Sequence, residues 1–150
     1  MKSLKPFKRS RVLLVYHYFL LEENERDFDE FINLQLTLSE NDDKFLNDLN
    51  WFKDFKSQKE DILEKINNNL KKDWSISRIP ALEKSILANA IYEIKNSSFN
   101  NEKSYFLIIN KAIDFSKKYL DFEKFKYINK VLDIVLKEEI ENKKVKLLII

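Results

Sequence analysis

None of the 150 residues is glycine, and only Pro6 and Pro80 are prolines. Tight hairpins draw on glycine for positive backbone angles, and strands need turn residues between them. A chain without these is steered towards helices joined by short polar breaks. The same absence excludes the P-loop and the dinucleotide fingerprint, which need glycine where backbone approaches a phosphate. Cysteine is also missing, and His17 is the single histidine. Disulfides, thiolate chemistry and Cys/His zinc sites are therefore excluded, and the lack of cysteine fits a cytoplasmic protein. His17 lies in an apolar run without evident partners, so a Ser-His-Asp or Cys-His site has no usable base. Glu22/Glu23 and Glu138/Glu139 are adjacent pairs that diverge on a helix, and they read as surface charges. Neither an enzyme, a cofactor nor a metal site is expected.

The length suits one domain with a self-sufficient core. A composition 44% hydrophobic and 35% charged is that of a folded globular chain. The formal net charge is only +2, so affinity for nucleic acid would have to come from a local basic cluster.

One such cluster opens the chain: Lys2, Lys5, Lys8, Arg9 and Arg11 occur without an acid. The apolar run Val12 to Leu21 follows. It is too short to span a bilayer and lacks a small-residue cleavage site, so neither a membrane span nor a signal peptide is expected. It reads as a buried helix with Arg9 and Arg11 near its exposed start. A second helix is expected over Asp27 to Leu38. Asn41 or Asp42 would cap a third, which places Phe45, Leu46, Leu49, Phe52 and Phe55 on one face. Ser57, with Glu60 three residues on, suggests a capping box for a fourth helix burying Ile62, Leu63, Ile66 and Leu70. The charges Lys53, Asp54, Lys56, Lys59, Glu60 and Asp61 read as a solvated face.

Beyond Lys71-Lys72-Asp73, the stretch Trp74 to Asp133 carries three apolar-periodic segments. Ser77 is a candidate cap and Pro80 suits a first turn. Leu82, Ile86, Leu87, Ala90, Ile91 and Ile94 repeat at three and four residues, the mark of a core helix. Ser104 to Leu120 offers Phe106, Ile109, Ala112, Ile113, Ser116 and Leu120 to one side. The last segment offers Phe125, Ile128, Leu132, Val135 and Leu136. The apolar tail Val145 to Ile150 is assigned neither to the core nor to a partner contact. The expected architecture is all-α, with about seven helices in two small bundles: an N-terminal sub-bundle over about 8–72 and a C-terminal one over about 73–142. No period of 20 to 50 residues recurs, which argues against a solenoid.

Lys8, Arg9 and Arg11 beside Tyr16 and Tyr18 suit single-stranded nucleic acid, because phosphates meet cations and unstacked bases meet rings. The alternative is a solubilising end next to core aromatics.

Motifs in the central stretch add a resemblance. Trp74-Ser75-Ile76-Ser77-Arg78-Ile79 resembles W-x-L-x-R-L. Leu82-Glu83, Ile86-Leu87 and Ala90-Ile91-Tyr92-Glu93-Ile94 resemble a core helix ending in L-Y-E-L. Ile109-Asn110-Lys111-Ala112-Ile113-Asp114 and Tyr127-Ile128-Asn129-Lys130-Val131-Leu132-Asp133 resemble I-N-E-A-I-E and F-V-N-G-V-L-D. In this order and spacing they are similar to the NusB family of transcription antitermination factors, and Arg9-Ser10-Arg11 is similar to that family's arginine-rich start. The resemblance implies a non-enzymatic RNA-binding protein. It would pair with ribosomal protein NusE on boxA-like single-stranded RNA within the transcription elongation complex, notably in ribosomal RNA operons. It implies Lys8, Arg9, Arg11, Lys126 and Tyr127 on the RNA side and Glu83 on the protein-partner side. Some family members dimerise, which leaves a homodimer open. Asn110 and Asn129 also match, although an Asn in an apolar run is expected to be satisfied by a neighbouring helix's backbone.

The departures fall on polar positions. Ala88 stands for an arginine, Lys111 for a glutamate and Leu120 and Lys130 for glycines, and the segment from Phe99 to Ser104 lacks an Ile-Pro. Hence the alternative of a NusB-like adaptor that binds proteins and has lost boxA recognition. The NusB-like domain of RNA cytosine methyltransferases is a third comparison, but the glycine-bearing methyl-donor fold is not expected here.

Overall fold

Buried side chains run all round the circumference of one helix, α5 (Ala81–Lys95). Such a helix must be enclosed by others. The computed structural model, which describes residues 7–24, 26–39, 42–70, 75–96 and 102–149, with the side chains of 37, 39, 102–104 and 143–149 excepted, shows that enclosure. Helices α1 (Arg9–Glu23), α4 (Lys59–Asn68), α6 (Glu102–Tyr119) and α7 (Phe122–Ile149) all pack on α5. Outside these, α2 (Phe28–Ser39) and α3 (Asp43–Ser57) lean on α1, and a short 3₁₀ turn, Ile76–Arg78, leads into α5 beside α4. The described residues thus form seven α-helices and no strand, as the missing glycine and the helical spacing predict. Lys2, Lys5, Asn41, the Lys71-Lys72-Asp73 connection, Trp74 and residues 97–101 lie outside the described residues.

The two expected groups meet through α1, whose most extensive contact is with α5 rather than with α2 or α3. Val12 and Val15 of α1, Ile86, Leu87 and Ile91 of α5 and Ile128 and Leu132 of α7 are wholly buried, so one core runs through both groups. Aromatic rings close the α1–α2–α3 side, where Tyr18 stands edge-on to Phe28 and to Phe52 at 5.1 and 5.3 Å between centroids. His17 sits at the edge of this cluster, 5.0 Å from the ring of Phe31.

Several local expectations are corrected. Asp42 caps α3 as expected, its carboxylate accepting the Lys44 N–H at 3.0 Å. Ser57 is not a cap; its hydroxyl donates to the Asp54 carbonyl, and α4 starts after Gln58 with no side-chain cap. Ser77 lies inside the 3₁₀ turn, and Pro80 is itself the N-cap of α5. At the start of α6 the inward position differs, Tyr105 being buried and Phe106 59% exposed, while Ile109, Ala112 and Ser116 are buried as expected. Leu46 is also exposed, while its neighbour Asp48 is buried. The apolar tail continues α7 as far as Ile149.

Polar positions differ more. Asn110 and Asn129 are exposed, so neither fixes packing through a neighbouring backbone. Glu139 is buried, and its carboxylate meets Lys65 of α4 at 3.1 Å. Lys53, Asp54, Lys56, Glu60 and Asp61 are exposed as expected, but half-buried Lys59 donates to the Tyr18 hydroxyl at 2.8 Å, and Asp54 accepts from the Tyr92 hydroxyl. Asn89, wholly buried in α5, has no hydrogen-bond partner for either amide atom among the described residues. An unpartnered buried amide keeps its desolvation penalty, and alanine is the better helix former. Asn89→Ala is therefore expected to stabilise the fold by about 1 kcal/mol, read as a rise in thermal midpoint of roughly 2–4 °C. An unchanged or lower midpoint would show that the amide is compensated.

Candidate nucleic-acid interface

The basic start of the chain is held in a specific direction. Phe7 has φ 58°, a left-handed backbone angle at a residue with a Cβ, which costs about 1–2 kcal/mol. Two contacts hold it there. Its N–H donates to a carboxylate oxygen of Glu93 on α5 at 2.6 Å, and its buried ring stands edge-on to Phe115 of α6 at 5.6 Å. Lys8 follows in extended conformation as the N-cap of α1. Arg9, the first residue of the helix, is then delivered to the end of α6.

At that end a surface of rings and cations forms. The Arg9 guanidinium lies over the Tyr119 ring at 5.7 Å, and Tyr119 packs on Phe115 at 4.7 Å. Asp121 turns the chain into α7 by accepting the Lys124 N–H at 3.1 Å. Phe122 then stands edge-on to Phe125 at 5.1 Å. Lys117 approaches the Phe125 ring at 5.6 Å and Lys126 approaches Phe122 at 6.0 Å. Tyr119 and Phe122 are 46% and 62% exposed, so part of each side chain remains at the surface beside its cation. Cations beside exposed π faces bind phosphates and stacked bases together.

The expected RNA-side residues are dealt out unevenly. Arg9 and Lys126 both reach this corner between α6 and α7, and Lys8 stands half-buried one residue before Arg9. Arg11 turns the other way, donating to Asp48 of α3 at 3.0 Å and lying over the Trp51 ring at 5.2 Å. Tyr127 is half-buried, and burial together with the Glu83 charge raises its pKa. Glu83 is only 4% exposed and pairs with Lys124 at 3.6 Å; burial raises its pKa, opposed by Lys124.

Tyr16 and Tyr18 do not serve as platforms beside the arginines. Tyr18 is core, Tyr16 packs partly buried against the core, and the ring at Arg9 is Tyr119 of α6 instead. The missed residues, Lys117, Tyr119, Phe122 and Phe125, had a signal in the sequence: cations interleaved with aromatics across a helix break, Lys117-Lys118-Tyr119 to Phe125-Lys126.

Glu93 carries a further perturbation. Burial pushes its pKa up to about 7 against the opposing influence of the Phe7 N–H, Arg11 and Lys8. The folded chain then holds a proton that the unfolded chain releases near 4.5. The contribution of this group to stability is accordingly largest below that value and declines as pH rises to about 7. Among the described residues no cluster of His, Cys, Asp and Glu is disposed to hold a metal, and no helix is long and apolar enough to cross a membrane.

An all-helical scaffold whose exposed corner gathers charge and aromatic rings defines a helical-bundle protein. The chain belongs to the NusB family, whose sequence model matches residues 8–137. It is 38% identical over 88 residues to the transcription antitermination protein NusB of Methylacidiphilum infernorum, covering 59% of each chain. It is 42% identical over 69 residues to that of Staphylococcus carnosus, covering 46% of this chain and 50% of that one. The chain thus matches about half the length of these relatives. Against the NusB of Staphylococcus aureus strain JH9 it is 27% identical over 130 residues, 87% of this chain and 98% of that one. The solved structure of T. maritima NusB superposes with a TM-score of 0.67 at 22% identity, over 95% of this chain and 99% of that one, and so shares the fold.

Proposed function

We propose that this protein is a non-enzymatic, cytoplasmic transcription antitermination factor. In this reading it binds boxA-like single-stranded RNA together with ribosomal protein NusE, as part of the elongation complex on ribosomal RNA operons. The observation that carries the reading is the corner where Arg9 lies on Tyr119 and Lys126 beside Phe122, with both rings exposed. The shared name of the curated relatives, transcription antitermination protein, supports it. Lys8, Arg9 and Lys126 supply the phosphate contacts. Arg11 orients α1 through its pair with Asp48, and Tyr127 supports the α7 side from its half-buried position. Glu83, proposed for the protein-partner side, acts from within by holding Lys124.

The test is a titration of a labelled boxA-like oligoribonucleotide, with and without the cognate NusE, at several salt concentrations. Affinity is expected to fall steeply with salt, and the slope of log K against log salt to shrink by about 0.7 for each phosphate contact removed. Arg9→Ala and Lys126→Ala should each show that loss. Absence of binding with and without NusE would overturn the RNA reading and leave the protein-binding adaptor.

A further inference from the structure

We propose that Glu93 is a positioning residue: by accepting the Phe7 N–H it latches the start of α1, so that Arg9 is delivered onto Tyr119. The geometry isolates the role. Phe7 holds a left-handed backbone angle that a residue with a side chain does not choose by itself. The hydrogen bond from its N–H crosses 86 positions of sequence to the α5 carboxylate. Two residues further on, the Arg9 guanidinium reaches the exposed ring at the end of α6. With Phe7 released, the direction of the chain into Lys8 and Arg9 is no longer set at that point, and the cation on Tyr119 loses its register. Glu93 itself lies half-buried below the surface and is not a ligand-contacting group.

Several charged groups bear on the carboxylate. Arg11 and Lys8 approach it from α1. Tyr92 neighbours it on α5, with its hydroxyl committed to Asp54 of α3, and Asp48 of α3 holds Arg11. Burial outweighs the cations and leaves Glu93 titrating near neutral pH, so the latch alternates between a charged and a neutral acceptor in that range. The charged acceptor makes the stronger bond.

The variants Glu93→Gln and Glu93→Ala separate positioning from charge. Both remove the same negative charge, but only glutamine keeps an oxygen for the Phe7 N–H. The latch itself is read without RNA, by NMR of the full ¹⁵N-labelled chain. Wild type and Glu93→Gln are expected to keep a protected Phe7 amide and Arg9–Tyr119 ring contacts. Glu93→Ala should lose the ring contacts, with Phe7 amide exchange faster by about fivefold to tenfold, the worth of one hydrogen bond. The wild-type Phe7 amide shift should titrate with a midpoint near the Glu93 value of about 7 and stay flat in Glu93→Gln. That pair of curves tests the bond between Phe7 and Glu93 even where the alanine variant does not fold. Glu93→Ala retaining the amide protection and the ring contacts would overturn the proposal, and so would an identical titration in Glu93→Gln.

The RNA arm alone rests on the proposed function. There, Glu93→Ala should bind about fivefold to tenfold more weakly and Glu93→Gln within about twofold of wild type. A purely electrostatic role predicts equal, tighter binding by both variants and would overturn positioning. A wild type that binds no RNA but passes the NMR tests would sink the functional reading and leave the latch standing.

Discussion

Replacing Tyr119 by alanine weakens binding of a boxA-like oligoribonucleotide by roughly tenfold to a hundredfold, the range for losing one base-stacking ring. The ring is half exposed at the end of α6, and Arg9 already lies on it at 5.7 Å, so under the proposed function ring and cation would act on one nucleotide. Tyr119→Phe keeps the π face and stays within about twofold of wild type. Arg9→Ala combined with Tyr119→Ala loses less than the sum of the two, because the residues touch and share a partner. Fluorescence anisotropy at fixed salt reads the wild type and all four variants, Arg9→Ala included. A Tyr119→Ala protein that binds as tightly as wild type would move the RNA elsewhere on the surface.

The second large effect concerns two neighbouring aromatics of α6. Tyr105→Ala destabilises the fold by about 3–5 kcal/mol, the usual result of removing a fully buried aromatic side chain. Phe106→Ala, one residue on, stays within about 0.5 kcal/mol, because Phe106 projects into solvent. Urea denaturation of both variants checks the pair. The reverse order, with Phe106→Ala the more costly, would mean that Phe106 faces inwards as its apolar spacing suggested.

That contrast shows what periodicity can and cannot convey. In α5 the apolar residues at three and four residues apart from Ile86 to Ile94 are buried, and so are Glu83, Ser85 and Asn89, since this helix is enclosed on nearly every side and small errors of phase do not matter. In α6, Tyr105 and Phe106 are both apolar and adjacent, so spacing allows either to face inwards. The choice is made by the neighbouring α5 and α7, which no local pattern encodes. The same limit applies to the polar residues. Asn110 and Asn129 looked like buried register pins because their neighbours are apolar, yet 3.6-residue geometry carries both to the outer faces of α6 and α7. Glu139 looked like surface charge and is buried because Lys65 of α4 lies 3.1 Å away.

The candidate site was read from the sequence mainly through the cations Lys8, Arg9 and Lys126. Lys8, Arg9 and Arg11 stood out as a basic run without an acid, but the rings assigned to them were the adjacent tyrosines of α1. A helix that offers Arg9 and Arg11 to different sides also points Tyr18 into the core, so nearness in sequence was the wrong guide. Arg9 met its ring across more than a hundred residues of chain, at Tyr119.

The sequence by itself determined that the chain is helical. Without glycine it has few ways to turn strands, and apolar residues at helical spacing drive amphipathic helices together. Its motifs between Trp74 and Asp133 resembled the NusB family, and the family match over residues 8–137 agrees. Only the tertiary structure decided that Glu93 would lie beneath Phe7 and that Arg9 would lie over Tyr119. Both depend on how α1 crosses α5 and where α6 ends. A chain's local periods specify which face of each helix is apolar, whereas the close packing of several helices at once specifies which neighbour that face meets.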